Sequence, residues 1–217
     1  MKIREFVTVL ALAAVLATGL YAQETAPKAS LHVWSDEFAG PDGPVAYPQY
    51  GWRLKVPTGT LSGYGLASVV PHEKFFTNHL VVYTPSIAPW FSVHTETGGN
   101  PIAGGHFHQI GPRVNIANVV PKLKSMDHLF VAVLPRFIGV RPNNILLSGA
   151  TNPFKVTKSV QMSVEGYRRF FPHGGYYGEY WVLAHPKQTK QLSYGIFIAN
   201  DSNQKVVIGV GGRISLF

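Results

Sequence analysis

The stretch Val156-Thr157-Lys158-Ser159-Val160-Gln161-Met162-Ser163-Val164-Glu165 alternates apolar and polar side chains. Successive side chains of a strand point to opposite faces, so Val160, Met162 and Val164 would share one face with Val156. The polar side chains between them would occupy the other face. This period of two predicts a β-strand with one buried face.

Similar short runs of apolar or alternating residues occur on both sides of this stretch. We predict further strands at residues 50–56, 66–70, 79–83, 91–97, 105–110, 128–134, 137–140, 180–185, 192–199, 205–210 and 213–217. Turn-forming clusters such as Gly40–Gly43 and Asn200–Asn203 separate them. A helix of any length is conceivable only over Val114–Met126, where Pro121 interrupts it. Many short strands with frequent turns predict an all-β fold with little helix, an antiparallel β-sandwich or jelly roll.

The N-terminus has the pattern of a secretory signal peptide. Two basic residues among the first five precede an uncharged, mainly apolar run from Phe6 to Leu20, and small residues follow. We predict cleavage after Ala22, which leaves a flexible leader over residues 23–30 and a single β domain over 31–217. No stretch of this domain reaches the roughly 20 apolar residues that a transmembrane helix needs. The sequence therefore predicts a secreted or periplasmic protein that does not span a membrane.

The chain is basic and contains no cysteine. Of its 217 residues, 19 are Lys or Arg and 11 are Asp or Glu, for a net charge of +8, which signal removal lowers to +7. A basic exported domain attracts anions such as acidic polysaccharide, anionic lipid or cell-wall polymer, although charge also serves solubility. The basic residues are dispersed, unlike those of a nucleic-acid surface. The lack of cysteine excludes disulfides, thiolate zinc sites and a cysteine nucleophile.

Residues 33–43 read VWSDEFAGPDG, with Trp34-Ser35-Asp36-Glu37-Phe38 at their centre. This stretch resembles the start of the mature domain in laminarinase-type glycoside hydrolases. The resemblance implies a concanavalin-like jelly roll in which the stretch is an outer strand near the C-terminal strand. The catalytic signature of that family, Glu-x-Asp-x-x-Glu, does not occur here, and a carboxylate pair would have to combine distant acids. The resemblance therefore implies the fold and not the hydrolase activity.

The segment Gly104–Arg113 carries a His-x-His pair. On a strand, His106 and His108 project from the same face, where two imidazoles are suited to metal binding if a third ligand is near. The candidates for that third ligand are His94, His173 and His185. One of the paired histidines could instead transfer protons. The alternative is that both rings are packing residues without a chemical role.

Residues 165–181, EGYRRFFPHGGYYGEYW, contain aromatic, arginine and glycine residues at a density found nowhere else in the chain. Flat aromatic faces stack on sugar rings, and arginine forks bind carboxylates or phosphates. The segment therefore predicts substrate binding, with core packing of its aromatics as the alternative. The predicted substrate-binding residues are Gln109, Arg113, Arg168, Tyr176, Tyr180, Trp181 and the proline-flanked Trp90.

Together these residues suggest eliminative cleavage of a uronate polysaccharide. Arg113 and Gln109 would neutralise the sugar carboxylate, a histidine would remove the C5 proton, and a tyrosine would protonate the leaving oxygen. The predicted catalytic residues are His106, His108 and Tyr177. This mechanism needs no cofactor.

The leading hypothesis from sequence is an exported β-sandwich that binds carbohydrate or an anionic cell-envelope polymer, and in its enzymatic form is polysaccharide lyase-like. One alternative is a non-catalytic cell-envelope or assembly protein. A second alternative is a metalloprotein that holds a divalent cation through His94, His106 and His108. The expected partner is carbohydrate or envelope polymer, and no nucleic acid is expected.

Overall fold

The computed structural model describes residues 29–40, 43–68, 76–100, 104–123, 125–139, 141–189, 191–203 and 205–215. The predicted signal peptide and most of the predicted leader lie outside these ranges. Strand structure begins at Ala29, two residues before the predicted start of the β domain.

The described ranges contain fourteen strands: β1 (Ala29–Gly40), β2 (Gly43–Val56), β3 (Gly59–Ser68), β4 (Phe76–Pro85), β5 (Phe91–Asn100), β6 (Gly104–Asn115), β7 (Met126–Leu134), β8 (Arg136–Gly139), β9 (Asn144–Thr151), β10 (Phe154–Lys155), β11 (Val160–Phe170), β12 (Tyr176–Pro186), β13 (Leu192–Asp201) and β14 (Val206–Ser215). Three short 3-10 turns accompany them: η1 (Ile116–Asn118), η2 (Pro121–Leu123) and η3 (Pro172–Gly174). The candidate helix over 114–126 is thus the end of β6 followed by two of these turns. None of the helical turns in the described ranges has the length and apolarity of a transmembrane helix.

Every strand pairs antiparallel with its neighbours, and the sheet closes on itself. Around the described ring the order is β11-β12-β13-β14-β1-β2-β3-β4-β5-β6-β7-β9, and β9 pairs with β11. The first and last strands meet where Asp36 lies opposite Arg213. β8 pairs with β6, and β10 pairs with β11, off this path. The protein is therefore a closed, twelve-stranded antiparallel β-barrel over its described residues.

The predicted β-sandwich or jelly roll is wrong. A sandwich packs two sheets face to face, whereas here a single sheet closes and leaves no edge among the ring strands. The implied relationship to laminarinase-type hydrolases is wrong for the same reason. Residues 33–40 of the stretch that carries the resemblance lie in β1, which does pair with β14, but as the closing contact of a barrel.

The barrel wall is mainly apolar on the outside. Residues directly opposite each other on paired strands share a face, so the register divides each strand into inward and outward positions. Val160, Met162 and Val164 of β11 all point outward. Exposed apolar side chains cover the outward face: Val81, Val93, Ile110, Val114, Val133, Ile145, Leu147, Val164, Ile196, Ile208, Val210 and Ile214. A surface this apolar contradicts the predicted soluble, non-membrane domain, because water would meet it on all sides.

Outward aromatic side chains gather near both rims. We call the rim where β1 begins and β14 ends the terminal end, and the opposite rim the distal end. Towards the terminal end lie Trp52, Tyr83, Phe91 and Tyr194, and towards the distal end Phe170 and Tyr176. Trp52 covers Gly63 on the neighbouring strand, where a Cβ would overlap the indole. Two aromatic girdles flanking an apolar band are the pattern of transmembrane barrels.

Candidate functional site: the interior of the barrel

The interior face carries polar and charged side chains that are almost fully buried. Asp36, Ser92, His94, Glu96 and Gln109 each expose at most 1% of their surface. A buried charge is costly unless it is paired and hydrogen-bonded. The partners of these groups therefore define the chemistry of the interior.

One interior cluster is centred on Arg213 of β14. Its Nε donates to Asp36 Oδ1 at 2.6 Å and its Nη2 donates to Asp36 Oδ2 at 2.8 Å. The same guanidinium forms an ion pair with Glu165 of β11. Gln49 Nε2 also donates to Asp36 Oδ2 at 2.6 Å, and the Tyr64 hydroxyl donates to Gln49. This Arg213 cluster connects side chains of five strands, namely β11, β14, β1, β2 and β3.

A second interior cluster is centred on Glu96 of β5. Arg169 of β11 forms an ion pair with it, and Arg141 Nη1 lies 3.2 Å from its Oε2. Arg169 Nη1 also donates to Asn144 Oδ1 at 3.1 Å, and Asn144 Nδ2 donates to Gln109 Oε1 at 2.9 Å. Burial lowers the pKa of Arg141, which lies between β8 and β9, to about 10. It therefore stays protonated at neutral pH.

Both clusters bridge strands that are not neighbours. Arg169 and Glu96 lie on β11 and β5, which are separated along the wall by β9, β7 and β6. Arg213 and Glu165 lie on β14 and β11, which β13 and β12 separate. These ion pairs therefore reach across the interior and narrow it.

Two apolar patches fill further parts of the interior face. Phe130, Ala132, Leu134 and Leu146 form one on β7 and β9, with Tyr167 packed against it. The other is built on β13 and β12 from Phe197, Ala199, Trp181 and two neighbours, Tyr47 and Val207. The polar interior is thus interrupted by aromatic surface.

Three interior cations form no ion pair with a carboxylate within the described part of the chain. Arg113 lies with its Cζ 3.5 Å from the centroid of the Phe130 ring, and its Nε donates to Asn115 Oδ1 at 2.7 Å. Arg53 and Lys55 face inward near the terminal end and are exposed. The interior cations therefore differ in their partners: Arg141, Arg169 and Arg213 are ion-paired, whereas Arg53, Lys55 and Arg113 are not.

The terminal rim is basic. Its exposed basic side chains in the described ranges are Arg53, Lys55, Lys122, Lys155, Lys158 and Lys187. Asp127 is the acid at this rim among the same residues, and it interacts with Arg53 across the opening. A ring of one sign of charge raises the local concentration of oppositely charged solutes.

The residues predicted to bind or transform a substrate are divided between the two faces of the wall. Inward-facing ones are His94, Gln109, Arg113, Tyr177, Trp181 and His185. Outward-facing ones are His106, His108, Arg168, Tyr176 and Tyr180. Trp90 is half-exposed in the turn between β4 and β5, and His173 is exposed in η3.

The enzymatic hypothesis fails on this arrangement. His106 and His108 project outward near the distal end, whereas Arg113 and Tyr177 project into the barrel, so one sugar cannot contact them all. The polysaccharide lyase-like reading is therefore corrected, together with the sandwich on which it depended. The arrangement does not support the metal alternative either. His94 faces inward, whereas His106 and His108 face outward. Within the described residues there is no group of three metal-ligating side chains.

The interior ion pairs were missed by the sequence analysis. Asp36 was assigned to a structural motif, and Arg213 and Arg169 received no role. The available signal was a charged residue at an alternate position of an otherwise apolar strand, as in Val210-Gly211-Gly212-Arg213-Ile214. In a soluble sheet that position is solvent-exposed, and only the closed wall turns it into an interior one.

The structure is similar to solved porins. It aligns with the KdgM porin in complex with disordered oligogalacturonate at 15% identity and a TM-score of 0.48, covering 86% of this chain and 99% of that chain. The KdgM porin alone gives 14% identity and the same TM-score and coverage. A mutant Rhodopseudomonas blastica porin gives 8% identity and a TM-score of 0.34, covering 87% and 100%. No family model and no curated protein sequence matches this chain. The barrel assignment therefore rests on the strand pairing of this chain itself.

Proposed function

We propose that this protein spans an outer membrane as a β-barrel and forms a channel for small anionic solutes. The observation that carries the proposal is the polarity of the barrel wall, which is mainly apolar on its outer face and charged on its inner face. A soluble protein has the opposite arrangement. Lipid offers no hydrogen-bond partners to a backbone, so only helices and closed barrels can span it. A closed barrel with this polarity is therefore suited to a bilayer.

Strand length and the predicted export signal support the same location. The ring strands contain 8 to 14 residues, and β11 and β12 contain 11 each. A tilted transmembrane strand needs about 9–11 residues. The signal peptide predicted over residues 1–22 would carry the chain out of the cytoplasm, where an outer membrane is the bilayer that receives barrels.

The proposed preference for anions rests on three interior cations that form no ion pair with a carboxylate of the described residues. Arg53 and Lys55 line the terminal opening, and Arg113 lies two residues before the terminal end of β6 with its guanidinium stacked on Phe130. Rings of Arg and Lys favour anions in pores. Arginine forks bind carboxylates, and the interior aromatic patches suit sugar rings. We therefore propose that the solutes include short carboxylated oligosaccharides.

Conductance across a planar bilayer tests the proposal. The protein purified from membranes should open channels whose reversal potential in a KCl gradient shows a preference for Cl⁻ over K⁺. The preference should decline as salt rises, because the screening length falls from about 30 Å at 0.01 M to about 3 Å at 1 M. A cation-selective channel would contradict the proposed solute class.

A charge-removing variant and a matched control sharpen this test. Replacing Arg53 and Lys55 together by Gln should lower the Cl⁻ to K⁺ permeability ratio by roughly twofold or more, since both charges lie at the opening. The control is Lys205→Gln, which removes an exposed positive charge at the distal end. Equal effects of the two changes would refute the assignment of selectivity to the terminal opening.

A second candidate function is a structural envelope barrel that does not conduct. It is favoured by the two ion-paired clusters that reach across the interior, since Arg169 and Glu96 meet from strands four places apart. Stable insertion into bilayers without any conductance, in the wild type and in an Arg169→Gln variant alike, would support this candidate and refute the channel.

A further inference from the structure

Arg168 is the one arginine or lysine on the outward face of the ring strands within the described ranges. It lies opposite Leu147 of β9 and Gly178 of β12, both of which point outward. An arginine on the lipid face of a barrel is costly at the bilayer midplane and nearly neutral near the interface. Its place two residues before the distal end of β11 puts it at interfacial depth.

The Arg168 side chain is held in place by two tyrosines of β12. Its Nε donates to the Tyr180 hydroxyl at 2.8 Å. Its Cζ lies 4.7 Å from the centroid of the Tyr176 ring. Gly178 lies directly opposite Arg168 and between the two tyrosines, and a Cβ there would press on the Tyr180 hydroxyl. The glycine thus leaves the space in which the guanidinium lies across β12.

The donors of this site are only partly used. Nε is bonded to Tyr180, and no carboxylate among the described residues forms an ion pair with Arg168. Because the Tyr180 oxygen accepts from Arg168, its own proton is free to donate to another group. The guanidinium fork and this hydroxyl together present several donors to an anion at the outer surface.

We infer that Arg168, Tyr176 and Tyr180 bind the phosphate of an anionic membrane lipid at the distal rim. The inference rests on the proposed membrane location. Arginine binds phosphate through paired, charge-assisted hydrogen bonds, and tyrosines favour the headgroup level of a bilayer. The phosphate supplies the counter-charge that the apolar wall around Arg168 lacks. The site gives a role to Arg168, Tyr176 and Tyr180 within residues 165–181, whereas Arg169, Tyr167 and Tyr177 face the interior.

Native mass spectrometry of the detergent-solubilised protein tests the inference with phosphatidylglycerol as the probe and phosphatidylcholine as the comparison. The wild type should retain phosphatidylglycerol preferentially. Arg168→Gln should weaken that retention roughly tenfold, because it removes the charge-assisted hydrogen bonds of the guanidinium. Arg168→Lys keeps the charge without the fork and should fall between the two. Tyr180→Phe should also weaken retention, since it removes one donor.

Lys205→Gln is the matched control, because it removes one exposed positive charge at the same end without touching the site. Retention by Arg168→Gln equal to that of the wild type would overturn the inference. So would full competition by millimolar inorganic phosphate, which would identify a free anion and not a lipid as the ligand. If the wild type neither inserts into vesicles nor retains any lipid, the membrane proposal itself fails. If the wild type inserts into vesicles normally but Arg168→Gln retains phosphatidylglycerol as well as the wild type does, only the lipid site is refuted and the membrane proposal stands.

Discussion

At the scale of single residues, Arg169 and Arg213 organise the interior because each donates to several acceptors at once. Arg213 contacts both carboxylate oxygens of Asp36 and also Glu165. Asp36 is buried, so its charge depends on this partner. Removing one partner of a buried ion pair is far more harmful than never having had the pair, because an uncompensated charge stays behind.

The first prediction follows from this dependence. Arg213→Ala should lower the free energy of unfolding by about 3–5 kcal/mol, since two neighbouring carboxylates lose their shared cation. Adding Asp36→Asn to the same chain should restore part of the loss by removing one of the stranded charges. Urea unfolding in lipid vesicles measures both variants. Arg53→Ala, at an exposed position, is the control, and an equal loss there would refute the role given to Arg213.

Sequence reasoning identified single interior residues but not their partners. Gln109 and Arg113 were predicted to contact a solute and do face the interior, whereas the His106 and His108 pair faces outward. Asp36 and Arg213 are separated by 177 positions in the chain, and only barrel closure brings them together. No local pattern encodes such a contact, because it depends on which strand lies beside the first one.

At the scale of elements, alternation shows that a segment is a strand but not which of its faces is buried. The apolar positions of Val156–Glu165 are those expected for the core-facing side of a sandwich. In the barrel the same positions of β11 point outward, and Gln161, Ser163 and Glu165 point inward. The pattern is identical in the two cases, because a period of two shows that the faces differ but not which face is buried. This explains why most strands were predicted and the sandwich was wrong.

A substitution at an outward strand position tests which solvent that face meets. Ile196→Lys in β13 should destabilise the bilayer-inserted protein by about 2–4 kcal/mol, as a lysine near the midplane does in transmembrane barrels. The matched control is Ile87→Lys, because Ile87 lies in the turn between β4 and β5 and exposes 95% of its surface. Unfolding measured in lipid vesicles compares the two. Equal tolerance at both positions would show that the outward face of β13 meets water.

At the scale of the whole molecule, the membrane expectation failed because it was based on helix length. A spanning helix needs roughly 20 apolar residues, whereas a spanning strand needs about 9–11, with only every second one facing lipid. A chain with mean hydropathy of +0.07 can therefore have a mainly apolar exterior. Alternation and turns report local structure, but closure of the sheet is a global property that no local signal reports.

Closure between β1 and β14 can be tested directly, because the chain contains no cysteine to interfere. Ser35 and Ile214 are paired across this seam and both point outward. The double variant Ser35→Cys, Ile214→Cys should form a disulfide under mild oxidation, since directly opposed strand residues have the short Cα separation that the bond requires. The bond would close nearly the whole chain into a ring, so denaturing gel mobility should change and revert with reductant. The out-of-register pair Ser35→Cys, Ile208→Cys should not crosslink, and equal yields from the two pairs would contradict the closed barrel.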